Sequence, residues 1–366
     1  MKKILLVIDN LGSGGAQNQL TLLAVGLKKR GYDMTVFTYY PDNFFEYRLS
    51  ENNVPLVNVQ KKDKIGINVI WGLKKYIDIN NVDTVITFMR GSNFYGSIVK
   101  KIARKSFKLI ISYRSKTDFE NFPSTEIKRL KWVNKIADAI VANSHHERER
   151  WQNKQPKLAY KWHTIYNAVD FLKFHPLDDN IKKDYFLIVG SISQHKNGLV
   201  VIEALRLLVK TNPNIHILWV GEKNIHLPDR KAYLMQMESK IEEYNLVDNF
   251  TWGEPVSDIE HLYHETKALI LPSITEGLPN VVCEAMSCGT PCIVSNVLDH
   301  HNLIDDRISG FLFDPKDAET LMKAMLSIDQ MSSQQYSDMK KNASLKSIKL
   351  FSNEKFTSSF EQLINK

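Results

Sequence analysis

Short apolar runs alternate with segments of helical periodicity along almost the whole chain, and that alternation leaves little choice of architecture. Ile4–Ile8, Met34–Tyr40, Thr84–Phe88, Lys108–Tyr113 and Ala137–Ala142 read as buried strands. Between the first two, Gln17–Lys29 places Leu20, Leu23, Ala24 and Leu27 at helical spacing, with Gly31 set to close the helix. Strands separated by helices of about 10–15 residues fold as a parallel sheet covered on both faces. The pattern breaks near Asn167–Asn180, where Phe174-His175-Pro176 leads into a charged stretch. It restarts with Tyr185–Gly190, Ile215–Gly221, Ala268–Leu271 and Pro291–Ser295. The expectation is an α/β chain of two doubly wound domains, 1–176 and 177–345, with a helical segment 346–366 packing back on the first.

Composition narrows the class. With 43% hydrophobic and 24% charged residues, the chain of 366 residues suits two ordinary globular cores. No apolar run approaches the roughly 18 residues of a membrane-spanning helix. The start, Lys2-Lys3 before Ile4–Ile8, imitates a secretory leader, but Asp9 and Asn10 end the apolar run after five residues. A leader core needs about 7–15. A first strand in a cytoplasmic protein is the expectation. Cys283, Cys288 and Cys292 have no zinc-like spacing and read as small buried apolar residues.

Charge is divided unevenly. Residues 1–176 hold 29 Lys and Arg against 15 Asp and Glu, whereas the remainder holds 19 against 26. The first half is therefore expected to face something anionic, such as phospholipid or a phosphate-bearing substrate. Lys100-Lys101-Ile102-Ala103-Arg104-Lys105 and Lys128-Arg129-Leu130-Lys131-Trp132 are the clusters that could meet an anionic membrane. No nucleic-acid motif accompanies them, and no nucleic-acid partner is expected.

Ligands of open parallel sheets bind beyond the carboxyl ends of the strands. Three loops there carry unusual residues. Asp9 to Gln17 contains Gly12, Gly14 and Gly15 ahead of a helix whose first amides attract phosphate. A dinucleotide site is disfavoured, because Gln17 stands where its third glycine belongs and the second strand ends Thr38-Tyr39-Tyr40 without an acid. Val189 to Asn197 brings Lys196, a cation for a phosphate, to the junction of loop and helix. The segment Pro272 to Met286 is the most informative. Glu276 and Gly277 lie in its loop, Pro279 suits the first turn of a helix, and Gly289 closes that helix. Amides at Gly277–Asn280 would face a ligand with the positive helix end behind them. Glu284, among Val281, Val282, Ala285 and Met286, could accept two hydrogen bonds from ribose hydroxyls.

The Glu276–Glu284 segment, with Gly277-Leu278-Pro279 inside it and Glu284-Ala285-Met286 at its end, resembles the retaining glycosyltransferases of family 4. Gly14-Gly15-Ala16, Tyr166-Asn167-Ala168-Val169-Asp170, Asn249–Gly253 and Ser309–Phe313 resemble further segments of that family in the same order. The resemblance implies the GT-B fold: two Rossmann-like domains facing across a cleft, the first binding the acceptor and the second the nucleotide-sugar donor. It implies donor contacts by Gly14, Gly15, Ser191, Lys196, Asn197, Val256, Glu276, Gly277, Leu278, Pro279, Asn280 and Glu284. Gln17 and Arg114 are expected on the acceptor side. Two positions depart from the family: Ser191 replaces an arginine, and Arg114 stands where many members have a histidine. Arg114 is expected to supply the charge lost at Ser191.

The implied reaction moves a hexose or N-acetylhexosamine, with retention, from a nucleotide sugar to a glycan or polyprenyl-diphosphate-linked acceptor of a surface polysaccharide. UDP is the commonest nucleotide in the resembling set. Lys196, helix amides and Arg114 would stabilise the leaving diphosphate, and Glu276 would position the sugar. No Asp-x-Asp is present to hold a divalent ion, so metal-independent transfer without a cofactor is expected. The implied location is the cytoplasm, at the inner face of the membrane. Rival readings are a nucleotide-sugar epimerase using His145 or His146, and a regulatory subunit that binds the sugar nucleotide.

Overall fold

The computed structural model describes residues 2–177 and 183–366; part of the charged stretch after Pro176 lies outside the described residues. The chain divides into two compact units, one of Met1–Ala168 with Asn353–Lys366 and the other of Val169–Ser352.

In the first unit the elements run β1 (Lys3–Val7), α1 (Gly15–Lys29), β2 (Asp33–Thr38), α2 (Glu46–Glu51), β3 (Leu56–Asn58), α3 (Ile67–Asn80), β4 (Thr84–Phe88), α4 (Arg90–Ile102), β5 (Lys108–Tyr113), α5 (Ser124–Ile136), β6 (Ala139–Ala142), α6 (His145–Lys154) and β7 (Trp162–Thr164). The strands form one parallel sheet in the order β3-β2-β1-β4-β5-β6-β7. Order reverses beside β1, which pairs with both β2 and β4. Alternation along β1 explains why its sequence is apolar from Ile4 to Val7. Ile4 and Leu6 join one buried layer with α1, while Leu5 and Val7 join a second layer with α3 on the opposite face.

The second unit runs β8 (Phe186–Val189), α7 (Gly198–Leu208), β9 (Ile217–Val220), α8 (Pro228–Glu243), β10 (Phe250–Gly253), α9 (Glu260–Glu265), β11 (Ala268–Leu271), α10 (Asn280–Ser287), β12 (Cys292–Ser295), α11 (His300–Leu303), β13 (Gly310–Phe313), α12 (Ala318–Asp329) and α13 (Ser333–Phe351). Its parallel sheet has the order β10-β9-β8-β11-β12-β13, again reversing at its first strand. The three cysteines are buried, and no disulfide joins them among the described residues.

The first hand-over between units falls between Ala168 and Val169, earlier than the expected boundary after 176. The Gln19 side chain brackets Ala168, accepting from its amide at 2.7 Å and donating to its carbonyl at 2.8 Å. The next amide, Val169 N–H, donates to Phe351 O at 2.9 Å in the second unit. The expected C-terminal segment 346–366 is likewise divided. Its beginning completes α13, and only α14 (Asn353–Asn365) returns to the first unit. There Phe356, Phe360, Leu363 and Ile364 join the layer of α1, and Arg30 pairs with Glu354 and Glu361.

Candidate functional site

The carboxyl ends of β8, β9 and β11 hold the residues of the second unit that carry chemistry. Gly190, after β8, has φ +146°, and a Cβ there would sit 3.2 Å from Lys196 Cε. The bare backbone therefore leaves room for the lysine chain to fold back over the loop. Gly221, after β9, approaches so closely that a Cβ would lie 2.1 Å from Gly190 O. These two loops thus abut through backbone alone.

Lys196 Nζ lies 2.5 Å from Glu276 Oε1, and the Ser273 hydroxyl donates to that same oxygen at 2.8 Å. Their side chains are only 15% and 18% exposed, so solvent screens the pair weakly. Ile274 N–H donates to His195 O at 2.9 Å, which ties the two loops together beneath the pair. Glu276 is followed by Gly277, Leu278 and Pro279, and α10 begins at Asn280. Pro279 is the residue preceding the helix rather than part of its first turn. The imidazole of His300 is buried near this cluster: Nδ1 bonds Ser295 O at 2.7 Å and burial holds its pKa below the ordinary value.

Beside the pair lies a cavity of about 310 Å³, lined by Gly190, Ser191, Gly221, Val256, Tyr263, Glu284 and their neighbours. Glu284 presents its carboxyl from α10. The hydroxyl of Tyr263, itself fully buried, donates to Glu284 Oε2 at 3.0 Å. Burial pushes the Glu284 carboxyl up to about 7, against the opposing hydrogen bond from Tyr263 and the charge of Lys173. Tyr263 keeps its proton, since burial raises its pKa well above 10. The cavity thus offers an acceptor for vicinal hydroxyls, with a lysine in the adjoining loop held by Glu276.

The Asn197 side chain donates from Nδ2 to Pro315 O at 2.8 Å, and a left-handed backbone, φ +54°, turns the loop into α7. The guanidinium that touches Ser191 belongs to Arg230 of α8, whose Nη1 donates to Ser191 Oγ at 3.2 Å; Arg114 lies in the first unit.

In that first unit, Gly14 and Gly15 begin α1, and the Gln17 amide is turned back 3.2 Å from both Asp9 Oδ1 and Asn10 Oδ1. Arg114, after β5, is 9% exposed. Its Nε donates to Ser112 Oγ at 2.8 Å, and Nη1 donates to Ile165 O and Asn167 Oδ1. Its guanidinium carbon lies 4.8 Å from the Phe88 ring centroid and 5.5 Å from that of Phe360, while Nη2 has no hydrogen-bond partner among the described residues. Burial lowers its pKa to about 9. His145 and His146 open α6 in the same unit.

Residues 13–171 match the family model described as Glycosyltransferase Family 4, and residues 172–346 match that described as Glycosyl transferases group 1. The chain belongs to glycosyltransferase family 4. The family's GT-B fold is seen in the solved structure of Anabaena HepE in complex with UDP, at a TM-score of 0.80 and 18% identity over 100% of both chains. An Escherichia coli relative named UDP-Gal:alpha-D-GlcNAc-diphosphoundecaprenol alpha-1,3-galactosyltransferase is 26% identical over 57% of each chain. The match thus spans less than two thirds of that relative's length. A Campylobacter jejuni alpha-1,4-N-acetyl-D-galactosaminyltransferase, whose name gives an undecaprenol-diphosphate-linked glycan as substrate, is 25% identical over 89% of this chain and 88% of its own.

Proposed function

We propose that this family 4 glycosyltransferase moves a hexose or N-acetylhexosamine from a UDP-sugar to a glycan or polyprenyl-diphosphate-linked acceptor of a bacterial surface polysaccharide. The observation that carries the donor half is the Lys196–Glu276 pair beside a cavity holding Glu284. Glu284 accepts the ribose hydroxyls, and Lys196 stabilises the diphosphate as it departs. The amides around Gly277–Asn280 add the positive end of α10. Glu276 holds Lys196 and positions the hexose rather than acting as a base. The acceptor hydroxyl attacks the anomeric carbon from the face the diphosphate leaves, and a leaving-phosphate oxygen takes its proton. Configuration is retained, with neither a protein nucleophile nor a metal required. The names of the relatives and the UDP-bound neighbour support uracil as the base and a lipid-linked acceptor.

Arg114 is assigned to a phosphate of the acceptor or donor, since its unpartnered Nη2 is an unused donor. Peripheral membrane contact is assigned to the basic first unit, where exposed Trp132 stands beside Lys131 and Lys135. No helix among the described residues is long and apolar enough to cross a membrane.

Thermal stabilisation tests the donor assignment. A ligand at about 100 times its dissociation constant adds roughly 2.7 kcal/mol, enough to move the melting point by a few degrees. UDP is expected to do so where GDP, ADP and NAD do not. Stabilisation by NAD alone would overturn the reading. Anomeric analysis of the product tests retention, and turnover in EDTA tests metal independence.

A further inference from the structure

Arg230 occupies the first turn of α8, where the helix dipole disfavours a cation. Its side chain leaves the helix and meets the loop after β8. Nη1 donates to Ser191 Oγ and to Ile192 O, both at 3.2 Å. An arginine carries five N–H donors in a planar fork. Among the described residues the other edge, Nε and Nη2, donates to nothing, and no carboxylate pairs with the group. An unpaired, half-buried guanidinium is thus anchored by one edge at the wall of the cavity, because Ser191 lines that cavity. Lys196, on the same loop as Ser191, is already engaged by Glu276. His195 reports both cations at once: burial lowers its pKa, and Lys196 and Arg230 lower it further while Glu276 opposes them.

We propose that Arg230 binds the diphosphate of the donor, its free Nε/Nη2 edge meeting phosphate oxygens in the two-pronged geometry that suits a guanidinium. Ser191 then has a role of its own. It is short enough to leave the space open, and its hydroxyl accepts from Arg230 and orients it. A cation delivered from α8 thereby does what a longer side chain at position 191 would do from within the loop. This assignment rests on the proposal that the second unit binds a nucleotide sugar.

Calorimetric titration with UDP, GDP and ADP tests it, using wild type, Arg230→Ala, and Arg230→Ala combined with Ser191→Arg. Wild type is expected to bind UDP, Arg230→Ala to bind it at least tenfold more weakly, and the double variant to recover most of the loss. Recovery is the deciding readout, because a guanidinium restored from another element cannot replace a brace. Undiminished binding by Arg230→Ala overturns the assignment and leaves the nucleotide reading standing. A loss that Ser191→Arg does not restore marks Arg230 as a support of the loop and overturns it too. If wild type binds none of the three diphosphates, the nucleotide reading itself fails, and this assignment with it.

Discussion

Glu276 Oε1 receives both the Lys196 ammonium, at 2.5 Å, and the Ser273 hydroxyl, at 2.8 Å. One carboxylate oxygen therefore fixes the position of the lysine while being fixed itself. Lys196→Ala should lower kcat by roughly 100-fold or more, the usual loss when a group that stabilises developing charge is removed. Folding stability should fall as well, since Glu276 loses its counter-ion in a pair only 15% and 18% exposed, with Ser273 as its remaining partner. Parallel kinetics and thermal melts check both halves. Glu276→Gln, which keeps an acceptor for the lysine, should be less damaged than Glu276→Ala.

Donor affinity should depend on pH through Glu284. Its carboxyl titrates near 7 in the folded protein, so below that value it is mostly protonated and accepts fewer ribose hydrogen bonds. UDP affinity should fall as pH drops from 8.5 to 5.5, and binding near neutrality should release a proton. Glu284→Gln should remove this component, and comparison of the two proteins cancels the titration of the ligand's own phosphates. The sign for stability is opposite. A carboxyl whose folded pKa exceeds its ordinary 4.5 contributes fully below that value and loses its contribution as pH rises toward 7.

Tyr263→Phe should shift that transition. The tyrosine hydroxyl favours the ionised carboxylate, so its removal should move the midpoint of the UDP-binding curve to higher pH. An unchanged midpoint would mean that the hydroxyl serves packing alone.

Arg114 separates binding from packing through two substitutions. Arg114→Met keeps a chain of similar length over Phe88 and Phe360 but withdraws the donors from Ser112 Oγ, Ile165 O and Asn167 Oδ1, so it should lose about 1–3 kcal/mol of stability together with turnover. Arg114→Ala should also lose stability, because it empties the space over Phe88 and Phe360. Wild-type turnover in Arg114→Met would reduce the residue to a packing element.

Phe360 is fully buried, with its ring stacked 6.0 Å from that of Phe88. Phe360→Ala should cost about 3–5 kcal/mol of stability, confined to the first unit. Differential scanning calorimetry should then show one transition lowered and the other retained.

Much of this was readable from residue order because burial on both sheet faces writes itself as apolar runs. β4, β5 and β11 begin and end where the periodicity places them. The short edge strands β3 and β7, three residues each, carry too little pattern to stand out. Glu284 was legible as an acid set among apolar helix neighbours. Tyr263 was not, since a tyrosine on a helix reads as core and its partner lies on another element. Arg230 reads in sequence as a solvated residue of a helix start, and only the approach of α8 to the β8 loop gives it a partner. The spacing of Asn197 beside Lys196 does not reveal that its side-chain amide donates to Pro315 O.

The return of α14 to the first unit has a consequence for biosynthesis. Phe356, Phe360, Leu363 and Ile364 belong to a core whose other members come from the opening third of the chain and from residues up to Ala168. During translation at about 5–20 residues per second, that core waits with an open flank while the whole of the second unit is made. The second unit, being continuous, can close first. The order of completion on the ribosome is thus the reverse of the order of synthesis, with α14 sealing a sheet that was begun before the second unit.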